Sequence, residues 1–538
     1  MQIFKVQNKN KQLPMIALTA LLLVLSGCAS KIGDLPKEVQ IDLPKTWQAE
    51  RDTSTKPDDA ESTPNEDDAI GVENGWLNSF ADADLNKHVQ TALKNNPDLL
   101  ASASRLKSAI EQTTIAGSGL WPQISAGLND RVTVSDGAGA STQLSLTNLD
   151  LATDLLSGGD DGASVTRRIR TVSATLDISW EADLWGRLTQ QKRASAYSTK
   201  AQAELYQSAE LSLVANVSRA WYNLVTNKLQ VDLAKQQLDS FKRTAALIDE
   251  NYQRGLRSAL DVYLSRTDVQ LQVSTLSDTR FSYVQSLRAF KTLLGEYPNT
   301  NLEFSAKLPE LVDTVPTGLP AELLTRRPDI RASQLQYKAQ IANAKVAYRE
   351  RYPRINFSGS IGDSRDSFNE LFDSNNMIMT LVSGITHPIF AAGALHAQAN
   401  QALYQAQESY ADLMRNTLTA FEEVENSLSR ETFLKQQHQA VKEAVKFAEG
   451  GLELALDQYQ AGIEDYTTVL QSQRRLFDSR RNELNIRNAL LQNRIGIHLS
   501  LGGDFAAVQA GPTADKNSSN KSIADIKKLD LPSVKKHD

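Results

Sequence analysis

Apolar residues recur along this chain with two different periods. Ile124, Ala126, Leu128, Val132 and Val134 alternate with Gln123, Ser125, Gly127, Asn129, Arg131 and Thr133. Ala174, Leu176, Ile178 and Trp180 alternate with Ser173, Thr175, Asp177 and Ser179, and Ile355, Phe357 and Ile361 with Arg354, Asn356, Ser358 and Ser360. A period of two gives a strand one apolar and one polar face. Strands are therefore predicted at about 122–135, 171–181 and 353–363, with a fourth, less cleanly alternating, at about 378–389.

The rest of the chain reads as helix of unusual length. Residues 187–254 hold neither Gly nor Pro across 68 positions, and 394–461 span another 68 interrupted only by Gly450 and Gly451. Shorter partners follow each, so long helices are predicted at about 186–254, 256–295, 393–461 and 463–500. These far exceed the ~11–12 residues of an average globular helix. Helices of such length pack as coiled-coil walls, not around one compact core. Pro97 and Pro328 suit the first helical position, with Asp98 and Asp329 in the first turn. The predicted class is α+β.

The order of elements occurs twice. A shift of 231 residues places Pro97-Asp98 on Pro328-Asp329, Lys107 on Lys338, Ile110 on Ile341 and Pro122 on Pro353, with nine identities in 28 gap-free positions. Further on, a shift of 207 places Gly186 on Gly393, Tyr252-Gln253-x-Gly255 on Tyr459-Gln460-x-Gly462, and Leu294-Gly295 on Leu501-Gly502. The difference, 231 − 207 = 24 residues, is extra chain in the first copy, where the Gly/Ser/Asp-rich segment 135–164 is expected to form an outward loop. The first repeat spans 76–295 and the second 296–510.

The ends differ from the middle. Lys5, Lys9 and Lys11 precede an apolar stretch from Met15 to Leu25, the layout of a secretory signal, too short to span a bilayer comfortably. Leu25-Ser26-Gly27-Cys28 looks like a bacterial lipobox, with Cys28 the single cysteine of the chain. An N-acyl and S-diacylglycerol anchor on Cys28 is expected after removal of 1–27; Ala29 in the following position resembles lipoproteins sent to the outer membrane. Residues 28–75, with Pro36, Pro44, Pro57 and Pro64 among charged residues, read as acylated N-terminus and linker, and 511–538 as a disordered polar tail.

Composition narrows the function by exclusion. Net charge is −6, or −6 − 3 = −9 once the three leader lysines are gone, with no long basic run. Nucleic acid is not an expected partner. A single cysteine excludes an internal disulfide framework, and the mean hydropathy of −0.37 is unlike a polytopic helical membrane protein. No phosphate-binding G-x-x-x-x-G-K-[ST] occurs and the six histidines lack metal-ligand spacing. No enzyme activity, metal or further cofactor is expected.

Ten-residue segments with one apolar face match transmembrane β-strands, and Trp121, Trp180, Trp185 and Tyr352 cluster near their ends as an aromatic girdle would. Four strands cannot close a barrel, and open edges in lipid leave backbone groups unpaired, so a barrel must be shared between copies. Two copies would give eight strands and a filled interior; three give twelve and a channel.

Trp180-Glu-Ala-Asp-Leu-Trp-Gly-Arg187, Arg326-Arg327-Pro-Asp-Ile-Arg331, Tyr252-Gln-Arg-Gly255 and Tyr459-Gln-Ala-Gly462, in this repeated order, resemble the TolC-like outer membrane factor family. The lipobox is similar to its OprM-like branch, which serves RND efflux pumps. The resemblance covers roughly residues 70–505. It implies a homotrimer with a 12-stranded outer-membrane barrel, continued into the periplasm by a helical barrel with a mixed equatorial belt near 76–90, 296–327 and 500–510. The function implied is a passive exit duct for drugs or other small molecules delivered by an inner-membrane RND-type transporter and a periplasmic adaptor. The same duct serving metal-ion or protein export is the alternative, and a non-conducting lipoprotein scaffold a more distant one.

Two sites follow. Gly255 and Gly462 each end a very long helix and permit the chain to reverse. The resemblance adds adaptor docking at these tips, through Arg254, Gly255, Leu256, Ser258 and Ala259 in the first copy and Gly462 and Ile463 in the second. Glu453 and Asp457, at i and i+4, share a helix face, and similar channels carry a constricting aspartate ring at the position of Asp457. Trimeric rings of these carboxylates would form a periplasmic gate; the alternative is a solvated acidic helix face.

Overall fold

The computed structural model describes residues 47–48, 75–137, 165–311, 320, 323–371 and 377–503. The leader, Cys28, nearly all of the linker and of the 135–164 loop, and the 511–538 tail lie outside the described residues. In chain order a 3-10 turn at Trp76–Phe80 precedes α1 (Ala83–Asn95), α2 (Pro97–Ser118), β1 (Gln123–Gly137), β2 (Val165–Ala182), α3 (Arg187–Gln253) and α4 (Ala259–Leu293). A single turn at Leu323–Arg326 then leads to α5 (Pro328–Arg349), β3 (Arg354–Arg365), β4 (Ile378–Thr386), α6 (Ala394–Gln460) and α7 (Tyr466–Ser500). The chain divides into two compact units, one holding Thr113–Arg193 and Ala342–Leu403, the other the remaining described residues.

The duplication is carried into the helix bounds. α3 and α6 are each 67 residues, about 100 Å at 1.5 Å per residue; α4 and α7 are each 35, and α2 and α5 each 22. Every bound of the four long helices maps by the 207-residue shift (187 to 394, 253 to 460, 259 to 466, 293 to 500). α4 and α7 begin three residues later than the expected 256 and 463. Ser258 and Asp465 cap them by accepting from the Leu260 and Thr468 amides, and a cap residue lies outside the helix it starts. In the expected equatorial belt the described residues form helix, turn and irregular chain without a strand.

In the first unit β1–β2–β3–β4 form an antiparallel meander. β2 starts at Val165, six residues before the expected 171, because its ladder with β1 runs unbroken from Gln123↔Ser179 to Gly137↔Val165. β4 stops at Thr386, short of 389, since Pro388 has no amide to donate. The register aligns one apolar face across all four strands. Its rows are Ala182/Ile355/Ile385, Trp180/Phe357, Ile124/Ile178/Gly359/Leu381, Ala126/Leu176/Ile361/Met379 and Leu128/Ala174. The opposite face carries Ser125, Gly127, Thr175, Asp177, Ser179, Ser358, Ser360 and Thr380, with Ile378 and Val382 the apolar exceptions on β4.

From Ala182 to Ala174 the apolar face extends eight residues, ~26 Å along a strand and ~19 Å in height at the usual ~45° tilt, inside the ~25 Å band of an outer-membrane barrel, and it ends at the charged row Asp130/Val172/Arg365. Aromatic residues close its lower end: Trp180 stacks on Phe357 at 5.6 Å, Trp185 meets Tyr352 at 5.3 Å, and the Trp185 indole donates to the Pro353 carbonyl at 2.8 Å. Both edges of the sheet are unpaired, and β4 is exposed along its whole length. Among the described residues no helix is long and apolar enough to cross a membrane.

In the second unit the largest core gathers Trp76, Phe80, Leu85 and Leu106 around Trp221, Tyr222, Phe290 and Ile495. Asp82 caps α1 through the Leu85 amide and its other oxygen accepts from the Trp221 indole at 2.8 Å, tying the start of the domain to the middle of α3.

Candidate functional site at the helical hairpin ends

The two long hairpins reverse by the same backbone device. Gly255 takes φ +78°; its amide donates to the Tyr252 carbonyl at 2.8 Å, and the Leu256 amide to that of Asn251 at 2.9 Å. Gly462, also at φ +78°, repeats this with Tyr459 at 3.1 Å, and Ile463 with Gln458 at 2.9 Å. This pair of bonds satisfies the last carbonyls of the helix and needs a residue without a Cβ penalty at the left-handed position. A Cβ on either glycine would meet no atom within 4 Å, so conformation alone selects glycine here.

Of the residues expected at the tips, Arg254, Gly255, Leu256, Ser258 and Ala259 are exposed, as are Gly462 and Ile463. Arg254 is held by an i,i+4 pair with Glu250, and Ser258 is engaged as the cap of α4. Leu256 and Ile463 are 67% and 73% exposed, each an apolar knob at the end of its hairpin. Tyr252, Leu260 and Tyr263 extend the exposed apolar surface of the first tip.

What joins the two tips is a contact that the sequence pattern does not reveal. The Arg257 guanidinium donates to the Tyr459 carbonyl at 2.5 Å and lies 4.2 Å above the Tyr459 ring. Tyr459 is buried with Ile248, Leu452, Tyr466 and Val469; burial raises its phenol above the ordinary range, and its hydroxyl has no partner among the described residues. Tyr466 donates to Asp268 at 3.0 Å while Arg474 pairs with the other oxygen of that buried carboxylate at 2.8 Å. Burial, with the Asp268 charge beside it, pushes the Tyr466 phenol strongly up. Arg266 reaches back across the first hairpin to Asp249 at 3.0 Å. The one legible signal was the repeated Tyr-Gln-x-Gly, which marks Tyr459 but not its partner.

Glu453 and Asp457 lie one turn apart on α6 with exposed side chains. Neither carboxylate has a hydrogen-bond or ion-pair partner among the described residues, and Leu454 between them is exposed as well. Within one chain they form an acidic stripe near the second tip, not joined to the Arg257–Tyr459 clamp. Cys28 lies outside the described residues. Nothing in the hairpin ends pairs a nucleophile with a base; the arrangement offers exposed apolar knobs, a cation clamp and unpartnered carboxylates, suited to docking and to selecting ions by charge.

Comparison with known proteins gives this geometry its context. A probable efflux pump outer membrane protein, SepC, of Pseudomonas putida is 29% identical over 447 residues, 83% of this chain and 88% of that protein. The pyoverdine export outer membrane protein OpmQ of Pseudomonas aeruginosa is 28% identical over 438 residues, 81% and 88% of the respective chains. The outer-membrane channel OprN superposes with a TM-score of 0.73 at 22% identity, covering 88% of this chain and 98% of that one. The open-state MtrE outer membrane channel of Neisseria gonorrhoeae gives 0.70 at 22% identity, over 89% and 100%. The profile of the family described as outer membrane efflux protein matches residues 88–296 and 319–503, one match to each repeat, and this chain belongs to that family.

Proposed function

We propose that three copies of this chain assemble into a passive exit duct in the outer membrane, through which a tripartite pump expels small organic molecules. The observation that carries the reading is the four-stranded sheet with one continuous apolar face and two unpaired edges. An unpaired backbone group in hydrocarbon costs several kcal/mol, so β1 of one copy pairs with β4 of the next. Three copies give twelve strands, enough for an open lumen, lined by the small polar residues of the opposite face. A second feature supports assembly. Exposed Tyr404, Leu418, Phe433, Phe447 and Leu454 lie 14, 15, 14 and 7 residues apart along α6, within about 60° of one another at 100° per residue, an apolar seam for a neighbouring copy.

In this reading an acylated Cys28 anchors the chain, Arg254, Gly255, Leu256, Ser258, Ala259, Gly462 and Ile463 meet a periplasmic adaptor, and an inner-membrane transporter supplies energy and substrate. Rings of Glu453 and Asp457 around the three-fold axis repel one another and favour cations, forming the periplasmic gate. No bond is made or broken and no cofactor is used. Relatives named for efflux and for pyoverdine export support small organic solutes over metal ions or proteins.

The test is accumulation of a panel of dyes and antibiotics in cells with and without the gene, with oligomer size of the purified protein measured alongside. Higher accumulation on deletion, reversed by the wild-type gene, and a trimeric mass are expected. Unchanged accumulation together with a monomeric mass would sink the reading.

A further inference from the structure

The second unit contains a cavity of about 660 Å³ walled by α3, α6, α7 and the start of α5, within the ~300–1,000 Å³ of sites that take drug-sized ligands. Each helix contributes one face. Ser208, Ser212 and Arg219 come from α3 at spacings of four and seven, Glu423 and Arg430 from α6 at a spacing of seven, and Ala489 and Gly496 from α7 also seven apart. The small residues of α7 leave space on the third wall; a Cβ on Gly496 would sit 3.5 Å from a terminal nitrogen of Arg219, which places that guanidinium over the gap.

The charges in this cavity do not balance. Its lining holds three arginines (219, 327 and 430) and two acids (Asp329 and Glu423), 3 − 2 = +1, in a chain whose net charge is −6. Both acids are committed to one cation: Arg327 pairs with Asp329 at 2.8 Å and with Glu423 at 2.6 Å, and donates to the Ser500 carbonyl at 3.2 Å. Arg219 and Arg430 have no ion pair among the described residues, and the Ser208 and Ser212 hydroxyls have no hydrogen-bond partner there. Arg219 is partly buried, and burial lowers its pKa. A cation withdrawn from water without a counter-charge is unfavourable, and an anion entering the cavity relieves it.

We propose that this cavity is a binding site for organic anions, with Arg219 and Arg430 holding a carboxylate or sulfonate group and Ser208 and Ser212 donating to its oxygens. The guanidinium fork matches the paired oxygens of such groups, and the volume accommodates the carbon skeleton attached to them. The site is distinct from the hairpin ends and from the acidic stripe of α6, and its sign is opposite to that of the stripe. Anionic solutes would pause here and cationic ones would not.

The experiment is fluorescence anisotropy of the purified full-length protein in detergent, with dianionic fluorescein as probe and the cationic dye rhodamine 6G for comparison. Saturable fluorescein binding is expected, at least tenfold weaker in Arg219→Gln and weakened also in Arg430→Gln. Arg219→Lys should restore part of the affinity. Arg280→Gln, which removes one exposed charge elsewhere on the second unit, should leave binding unchanged. Thermal unfolding of each variant checks the fold; should Arg219→Gln not fold, the exposed Arg430→Gln carries the test. Absence of saturable fluorescein binding, equal binding of rhodamine 6G, or equal affinities for Arg430→Gln and Arg280→Gln would each overturn the proposal. The measurement needs neither a pump nor a conducting pore, so it can fail while the export assay succeeds, and the reverse.

Discussion

His498 near the end of α7 should make the stability of the helical unit depend on pH over a range where its carboxylates stay ionised. The ring is 1% exposed and stacks on Trp76 with centroids 5.3 Å apart and planes 9° from parallel. Neither ring nitrogen has a partner among the described residues. Burial, with the Arg494 charge adding to it, lowers the pKa from 6.5 to about 3. The folded ring is therefore neutral above about pH 3, whereas the unfolded ring takes up a proton as pH falls through 6.5. Between these values the unfolded state binds more protons, so stability rises with pH and is lost on acidification. At 1.36 kcal/mol per unit, going from about pH 7.5 to about pH 5 costs (6.5 − 5) × 1.36, or about 2 kcal/mol per chain.

The perturbation is His498→Phe, which keeps an aromatic ring against Trp76 and removes the titration. The assay is urea unfolding in detergent, followed by far-UV circular dichroism at both pH values. His88 and His438, whose pKa values burial also lowers, titrate in the same window, and the difference between wild type and variant cancels them. Asp183 and Asp329, with pKa values below the ordinary 3.8, contribute only at lower pH. The wild type should lose about 2 kcal/mol more than the variant. An equal loss in both would mean that the folded ring takes up a proton as readily as the unfolded one, contrary to its burial.

Three further predictions come from single contacts. Gly255→Ala should cost only ~1–2 kcal/mol, the left-handed backbone penalty, because nothing lies near the added Cβ; Gly295→Ala, at φ +72°, should cost more, since its Cβ would sit 2.4 Å from the Asn95 carbonyl oxygen. Comparative thermal unfolding separates the two. Tyr459→Phe should be neutral or slightly stabilising, as it removes a buried hydroxyl without a partner, whereas Tyr466→Phe should cost ~1–3 kcal/mol by taking a donor from buried Asp268; urea midpoints decide. Leu381→Arg, on the apolar face of β4, should cost ~2–4 kcal/mol and reduce the amount of protein in outer-membrane fractions. Thr380→Arg on the other face should not, and a matched loss in both would show that the faces are assigned wrongly.

The long helices were legible because their signal is local. Runs without Gly or Pro, prolines at the first helical position and glycines at the reversals act on backbone torsions directly, and the register of 207 carries them from one copy to the other. The strand faces were legible for the same reason, since a period of two needs no knowledge of the neighbour. Strand ends were less so: β2 begins at Val165 because β1 pairs with it that far, a fact about two segments and not one. The hairpin tips could be located from glycine, but their clamp could not.

The elements, their duplication, the apolar strand faces and the places where the chain turns are all legible in the amino-acid sequence, because each depends on residues close together along the chain. Tertiary structure decided where the copies cease to be equivalent. Tyr252 and Tyr459 occupy the same motif position, yet the first is 45% exposed while the second is fully buried under Arg257. The equivalents of Asp268 and His498 are Arg475 and Lys291, so the buried Asp268–Arg474 pair and the Trp76–His498 stack, each joining a residue of the first repeat to one of the second, have no counterpart with the repeats exchanged. The anion cavity likewise depends on which acids are already engaged by Arg327. Burial and charge pairing are set by side chains arriving from distant segments, and identical local sequence therefore acquires different environments.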